Sequence, residues 1–143
     1  MARIVFETTI GAGSKEVFDA LHSRPGIAGW WTEEVDFSGE VGSVLTLGFP
    51  HAAPMPFELR VDQASEHRVV WTSVGQFPPH WAGTRITWTL APADGGTLVH
   101  FDHDGWASDT GPFPSAALTW GQLMTSLKSY VETGTGGPLY RRS

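Results

Sequence analysis

The stretch from residue 115 to residue 133 constrains the fold more than any other, because its apolar residues recur at helical spacing over about five turns. At roughly 100° per residue, Ala116, Ala117, Trp120, Leu123, Met124, Leu127, Tyr130 and Val131 share an arc of about 140°. Gln122, Thr125, Lys128, Ser129 and Glu132 fall on the other side, and Leu118 is the one apolar residue among them. Ser115 is placed to cap the start, and Gly134 stands where a left-handed C-terminal cap belongs. A helix with one greasy stripe has to lie on something.

The rest of the chain supplies a sheet. Ile4, Phe6, Thr8 and Ile10 alternate with Arg3, Val5, Glu7 and Thr9, the period of a half-buried strand, and Gly11 and Gly13 end it. Ser14 suits the cap of a short helix carrying Val17, Phe18 and Leu21 on one face, and Ile27 to Thr32 reads as a second helical turn after Pro25-Gly26. From Val35 to Leu90, short β-branched and aromatic segments recur between glycine and proline loops. The sharpest alternation is Ile86, Trp88 and Leu90 against Arg85, Thr87 and Thr89. Asp94-Gly95-Gly96 then supplies a hairpin turn into Thr97 to His103. Strand, helix pair, many strands and long helix imply an α+β fold, with the last helix covering one face of an antiparallel sheet.

With 143 residues and no linker or repeat, the chain is expected to form one domain over residues 1–143. Its charge of −6, with nine scattered Lys and Arg, offers no basic stripe for nucleic acid or an anionic membrane. No apolar run approaches the roughly 18 residues of a membrane span. Glu7 interrupts the stretch where a secretory signal would continue, so a cytoplasmic location is expected. The absence of cysteine removes disulfides, thiolate metal ligands and cysteine nucleophiles. Neither a Gly-x-Ser-x-Gly elbow, a phosphate-binding glycine loop nor a dinucleotide fingerprint is present, and no cofactor is expected.

Several segments, in this order and spacing, resemble a known superfamily. They are Ser14 to Leu21 after the first strand, the Trp30-Trp31 pair, Gly96-Thr97 through His103-Asp104-Gly105-Trp106, and Trp120-Gly121 leading to Leu127 through Gly134. The chain resembles the START-like (SRPBCC, Bet v 1-like) helix-grip domains. Within them it is most similar to homologues of the activator of the ninety-kilodalton heat-shock chaperone's ATPase, the AHSA-type branch, and to polyketide cyclases. The resemblance implies a curved antiparallel sheet wrapped around the C-terminal helix, with two short helices after the first strand and a deep cavity between sheet and helix. Relatives use that cavity for lipids, polyketides, plant hormones or chaperone contact. The resemblance covers a single domain, and the activators' additional N-terminal domain is expected to be missing.

Seven tryptophans are the compositional oddity, each a large flat body with one N–H that wants a partner. Trp88 and Trp120 fall on the inferred core faces, and Trp71 shares a face with Val69 and Ser73. These residues, with Phe101 and Met124, are candidates to line a cavity; the alternative is that they fill it. Trp81, in the loop Phe77-Pro78-Pro79-His80-Trp81, is a candidate lid or partner contact, whereas Trp30-Trp31 reads as structural. His103 shares parity with Val99 and Phe101, which would put an imidazole among apolar walls as a ligand-orienting or catalytic group. The alternative is a core histidine satisfied by its surroundings. Glu7, Glu58, Arg60 and His80 are the other titratable groups that could serve a cavity, although Glu58, Arg60 and Asp62 read as the wet face of a strand. His100, Asp102, His103 and Asp104 cannot converge on a metal because strand alternation divides them, so no metal site is expected.

The expected function is binding of a small hydrophobic or aromatic molecule under the C-terminal helix. Two alternatives stand beside it: a cyclase or dehydratase using His103, and a chaperone-contact domain. The partner classes are therefore a small apolar ligand and a chaperone. Val5, Leu98 and Leu118 on polar faces are isolated, so the oligomeric state stays open.

Overall fold

The computed structural model describes residues 2–50, 52–138 and 140. Strand β1 (Ala2–Ile10) leads into helices α1 (Ser14–Leu21) and α2 (Arg24–Trp30). Strands β2 (Glu34–Asp36), β3 (Val44–Gly48), β4 (Phe57–Ala64) and β5 (Arg68–Ser73) follow. A 3-10 turn (Pro79–Trp81) precedes β6 (Arg85–Ala93) and β7 (Gly96–Trp106), and helix α3 (Phe113–Thr133) comes last. The strands form one curved antiparallel sheet in the order β1-β7-β6-β5-β4-β3-β2, so the first strand closes onto the last. This is the α+β helix-grip architecture.

Alternation along each strand explains which face is gripped. Ile4 and Ile10 on β1, Leu59 and Val61 on β4, Val69 and Trp71 on β5, Ile86, Trp88 and Leu90 on β6, and Val99, Phe101 and His103 on β7 are all buried. The opposite face is wet: Arg3 pairs with Asp102 and Asp104, Glu7 with His100, and Arg60 with Asp62. Glu58, Arg60 and Asp62 therefore lie as their spacing predicts. So do His100, Asp102 and Asp104, on the other side of the sheet from His103.

Helix α3 presents Trp120, Leu123, Met124 and Leu127 to the sheet, while Leu118 stands 67% exposed. Ser126 is also buried on this stripe, where its hydroxyl donates to the Trp30 carbonyl (2.8 Å) and ties α3 to the end of α2. Gly134 ends the helix at φ 83°, its N–H donating to the Tyr130 carbonyl (2.7 Å). Both expected N-caps are displaced. Helix α1 already includes Ser14, with Gly13 at the cap and no side-chain bond. Helix α3 starts at Phe113, ahead of Ser115, because Pro114 lies in the first turn, where its preset φ fits and its missing N–H costs nothing.

Candidate functional site

A pocket of about 410 Å3 opens at one end of the grip, between α3, the β3–β4 loop and the turn before β6. Its walls are mainly aromatic: Trp31, Phe49, Phe57, Trp81, Trp120 and Tyr140. Ala52, Ala53, Pro112, Ala116 and Leu123 complete the apolar lining, and the polar groups are His80, Ser115 and Thr119. Among the described residues no Lys, Arg, Asp or Glu lines it. Burying a charge without a partner is expensive, so such a lining disfavours a charged group.

Each wall has an identifiable origin. Trp31 stands just past α2, its backbone N–H bonded to the Ile27 carbonyl, and its ring stacks on Trp71 (6.1 Å, 21°) and meets Trp120 at 5.1 Å. Phe49 and Phe57 bracket the Ala- and Pro-rich loop and meet edge-on at 4.5 Å. Tyr140 arrives from the C-terminal tail. Its N–H donates to the Trp31 carbonyl (3.2 Å) and its carbonyl accepts from Glu33 N–H (3.0 Å), which brings its ring to 4.8 Å from Phe49.

Trp81 sits deeper than its loop position suggests. Named from sequence as a candidate lid or partner contact, it is only 6% exposed and lines the pocket. The reason is the 3-10 turn, which aims the ring inward, parallel to Trp120 (6.0 Å, 15°) and edge-on to His103 (4.8 Å). Trp31, read as structural only, is a pocket wall as well as a core residue.

Of the residues singled out from sequence as serving a cavity, the pocket brings together His80, Trp81 and Trp120. Trp71, Trp88, Phe101 and Met124 are buried in the core and do not line it. Trp88 meets Trp30, Trp71, Phe101 and Trp120, and all of these rings are buried. His103 lies in the core too, with no exposed surface. Its Nδ1 accepts from Trp120 Nε1–H (3.1 Å) and its Nε2 bonds to Thr84 Oγ1 (2.8 Å). Burial, with a smaller contribution from His80, holds its pKa at about 3, so the ring is neutral at pH 7. His80, at the pocket mouth, is stacked on Trp106 at 5.7 Å, and partial desolvation lowers its pKa; burial raises that of Tyr140. Among the described residues no cluster of three potential ligands could hold a metal.

Sequence reading missed Phe49, Phe57 and Tyr140. Phe49 and Phe57 carried a usable signal, two aromatics flanking a loop too rich in proline to pair. Tyr140 carried none, since it lies past a Gly-rich tail whose return path is a tertiary matter.

A curved antiparallel sheet closed over by its C-terminal helix, with an aromatic pocket beside that helix, defines an SRPBCC-type helix-grip domain. The chain belongs to the Activator of Hsp90 ATPase homolog 1-like protein family, whose model matches residues 12–132. It is similar to the Aha1 dimer from Colwellia psychrerythraea, at 28% identity and a TM-score of 0.86, covering 95% of this chain and 100% of that one. SSP2350 from Staphylococcus saprophyticus is 18% identical, covers 98% of both chains and has a TM-score of 0.80. DynU16, from the dynemicin biosynthetic locus, is 19% identical over 98% of this chain and 51% of its own, with a TM-score of 0.78. The last two share the fold. No curated protein matches the chain. Among the described residues no helix is long and apolar enough to cross a membrane.

Proposed function

We propose that this domain binds a small, uncharged hydrophobic or aromatic molecule in the pocket beside α3. The observation that carries this reading is the lining itself: about 410 Å3 with six aromatic walls and, among the described residues, no charged side chain. The volume is within the usual range for small-molecule sites, and flat walls favour a flat occupant. His80 and Tyr140, both with the neutral form favoured, supply the few polar contacts that orient a ligand. The test is titration with N-phenyl-1-naphthylamine, a neutral aromatic dye, together with native mass spectrometry of the purified protein. Saturable micromolar binding that Trp31→Ala weakens at least tenfold supports the reading. No dye binding and no co-purified compound would sink it.

Chaperone contact is a second reading, favoured by the family match and by the likeness to Aha1. Pull-down with an Hsp90 chaperone and stimulation of its ATPase decide it. A cyclase or dehydratase version of the pocket would have to draw on His80 or Tyr140. Both ring nitrogens of His103 are engaged inside the core and its basicity is too low to take a proton at pH 7.

A further inference from the structure

We propose that His103 is a positioning residue: it buckles Trp120 on α3 to Trp81 on the turn before β6, and so holds two tryptophans of the pocket wall in register. The proposal rests on the container reading for its consequence, because a held wall matters only if the pocket binds something. The buckle itself is independent of any ligand.

It is a run of three hydrogen bonds whose direction is forced. An indole N–H can only donate, so His103 Nδ1 is the acceptor for Trp120 Nε1 (3.1 Å). The neutral ring then carries its hydrogen on Nε2 and donates it to Thr84 Oγ1 (2.8 Å). The threonine hydroxyl passes its own hydrogen to the Trp81 carbonyl (2.6 Å), which also accepts Thr84 N–H (2.8 Å). All four residues are buried, so water does not compete for these bonds. The run joins three separate pieces of chain. Helix α3 supplies Trp120, strand β7 supplies His103, and the turn into β6 supplies Thr84 and Trp81.

The surroundings are shaped to allow this. Gly105, on β7 with φ at 91°, lies against Thr84: a Cβ there would be 3.3 Å from the Thr84 Cα, so the strand comes close to the turn where a side chain would hold it off. Trp81 and Trp106 flank the imidazole edge-on at 4.8 and 4.9 Å and keep its plane fixed. A core needing only volume at this site would be filled at lower cost by an apolar ring, since an imidazole left without partners is penalised. The polar residue is accounted for by what it connects.

The test uses Thr84→Val and His103→Phe beside the wild type, with two readouts. The first needs no ligand: the Trp120 indole resonance in a 1H–15N spectrum and the contacts between Trp81 and Trp120 ring protons. Wild type should show a downfield, slowly exchanging indole proton and ring-to-ring contacts. His103→Phe should move that proton upfield, Thr84→Val should weaken the ring contacts while leaving the indole bond in place, and His103→Asn, whose amide oxygen can replace Nδ1, should restore the indole shift. The second readout is N-phenyl-1-naphthylamine affinity, expected to fall about tenfold in Thr84→Val as the wall loses preorganisation. If the Trp120 proton is unmoved in His103→Phe, or the Thr84→Val rings stay in contact with unchanged dye affinity, the buckle is overturned. If wild type binds no dye, the container reading fails, while the spectra still decide the buckle. Should His103→Phe not fold, Thr84→Val carries the decision.

Discussion

At the residue scale the molecule is dominated by aromatic side chains that do two jobs at once. Trp31 packs against Trp30 and Trp71 in the core and against Phe49 and Trp120 in the pocket wall. Trp31→Ala is therefore expected to lower stability by about 3–5 kcal/mol, a core-cavity cost measurable by urea denaturation, as well as to weaken dye binding. His103 makes a second residue-scale prediction. Its pKa is about 3 folded against an ordinary 6.5, so the folded state resists a proton that the unfolded chain accepts. The stabilisation is complete above pH 6.5 and is lost as pH falls from 6.5 toward 3, at about 1.4 kcal/mol per unit. Between pH 7 and pH 5 this amounts to about 2 kcal/mol, and His103→Asn should remove that part of the slope in paired urea titrations. The buried polarity of His103 was readable from its parity with Val99 and Phe101. Its partners were not, because Trp120 and Thr84 reach it only after three elements have packed.

At the scale of elements, two junctions fix where the site sits. The end of α3 depends on Gly134 at φ 83°, with open space where a side chain would go. Gly134→Ala should cost about 1 kcal/mol through backbone strain alone, seen as a lower urea midpoint with unchanged slope. Gly29 is a different case: a Cβ there would stand 2.2 Å from the Tyr130 ring, so α2 lies against α3 only because residue 29 has no side chain. Gly29→Val should force the helices apart and displace Trp30 and Trp31 with them, at a cost of more than about 2 kcal/mol. The strands and α3 were legible because periodicity survives packing. Helix starts were legible only to within a few residues, because Gly13 and Pro112 cap without any side-chain hydrogen bond to announce them.

The whole molecule brings the C-terminal tail back across the grip. Ser129 Oγ bonds the Thr135 carbonyl, Thr32 bridges to Tyr140, and the Tyr140 ring completes the pocket wall between Trp31 and Phe49. Tyr140→Ala is expected to open that side, raising acrylamide quenching of tryptophan fluorescence and weakening N-phenyl-1-naphthylamine by several-fold while the urea midpoint changes little. Unchanged quenching would mean that the ring closes nothing. By itself the sequence determined the class of the fold, because alternation and helical spacing encode which side of each element avoids water, and that local information is enough to require a helix lying on a sheet. It also placed aromatic residues on the inner faces of sheet and helix, without separating those that line a space from those that fill it. The tertiary structure alone decided which aromatics face the pocket and which stand behind it. Trp71, Trp88, Trp81 and Trp31 are equally apolar to any pattern, and the difference between wall and filling is set by curvature, by one 3-10 turn and by a tail that returns from outside every periodic segment.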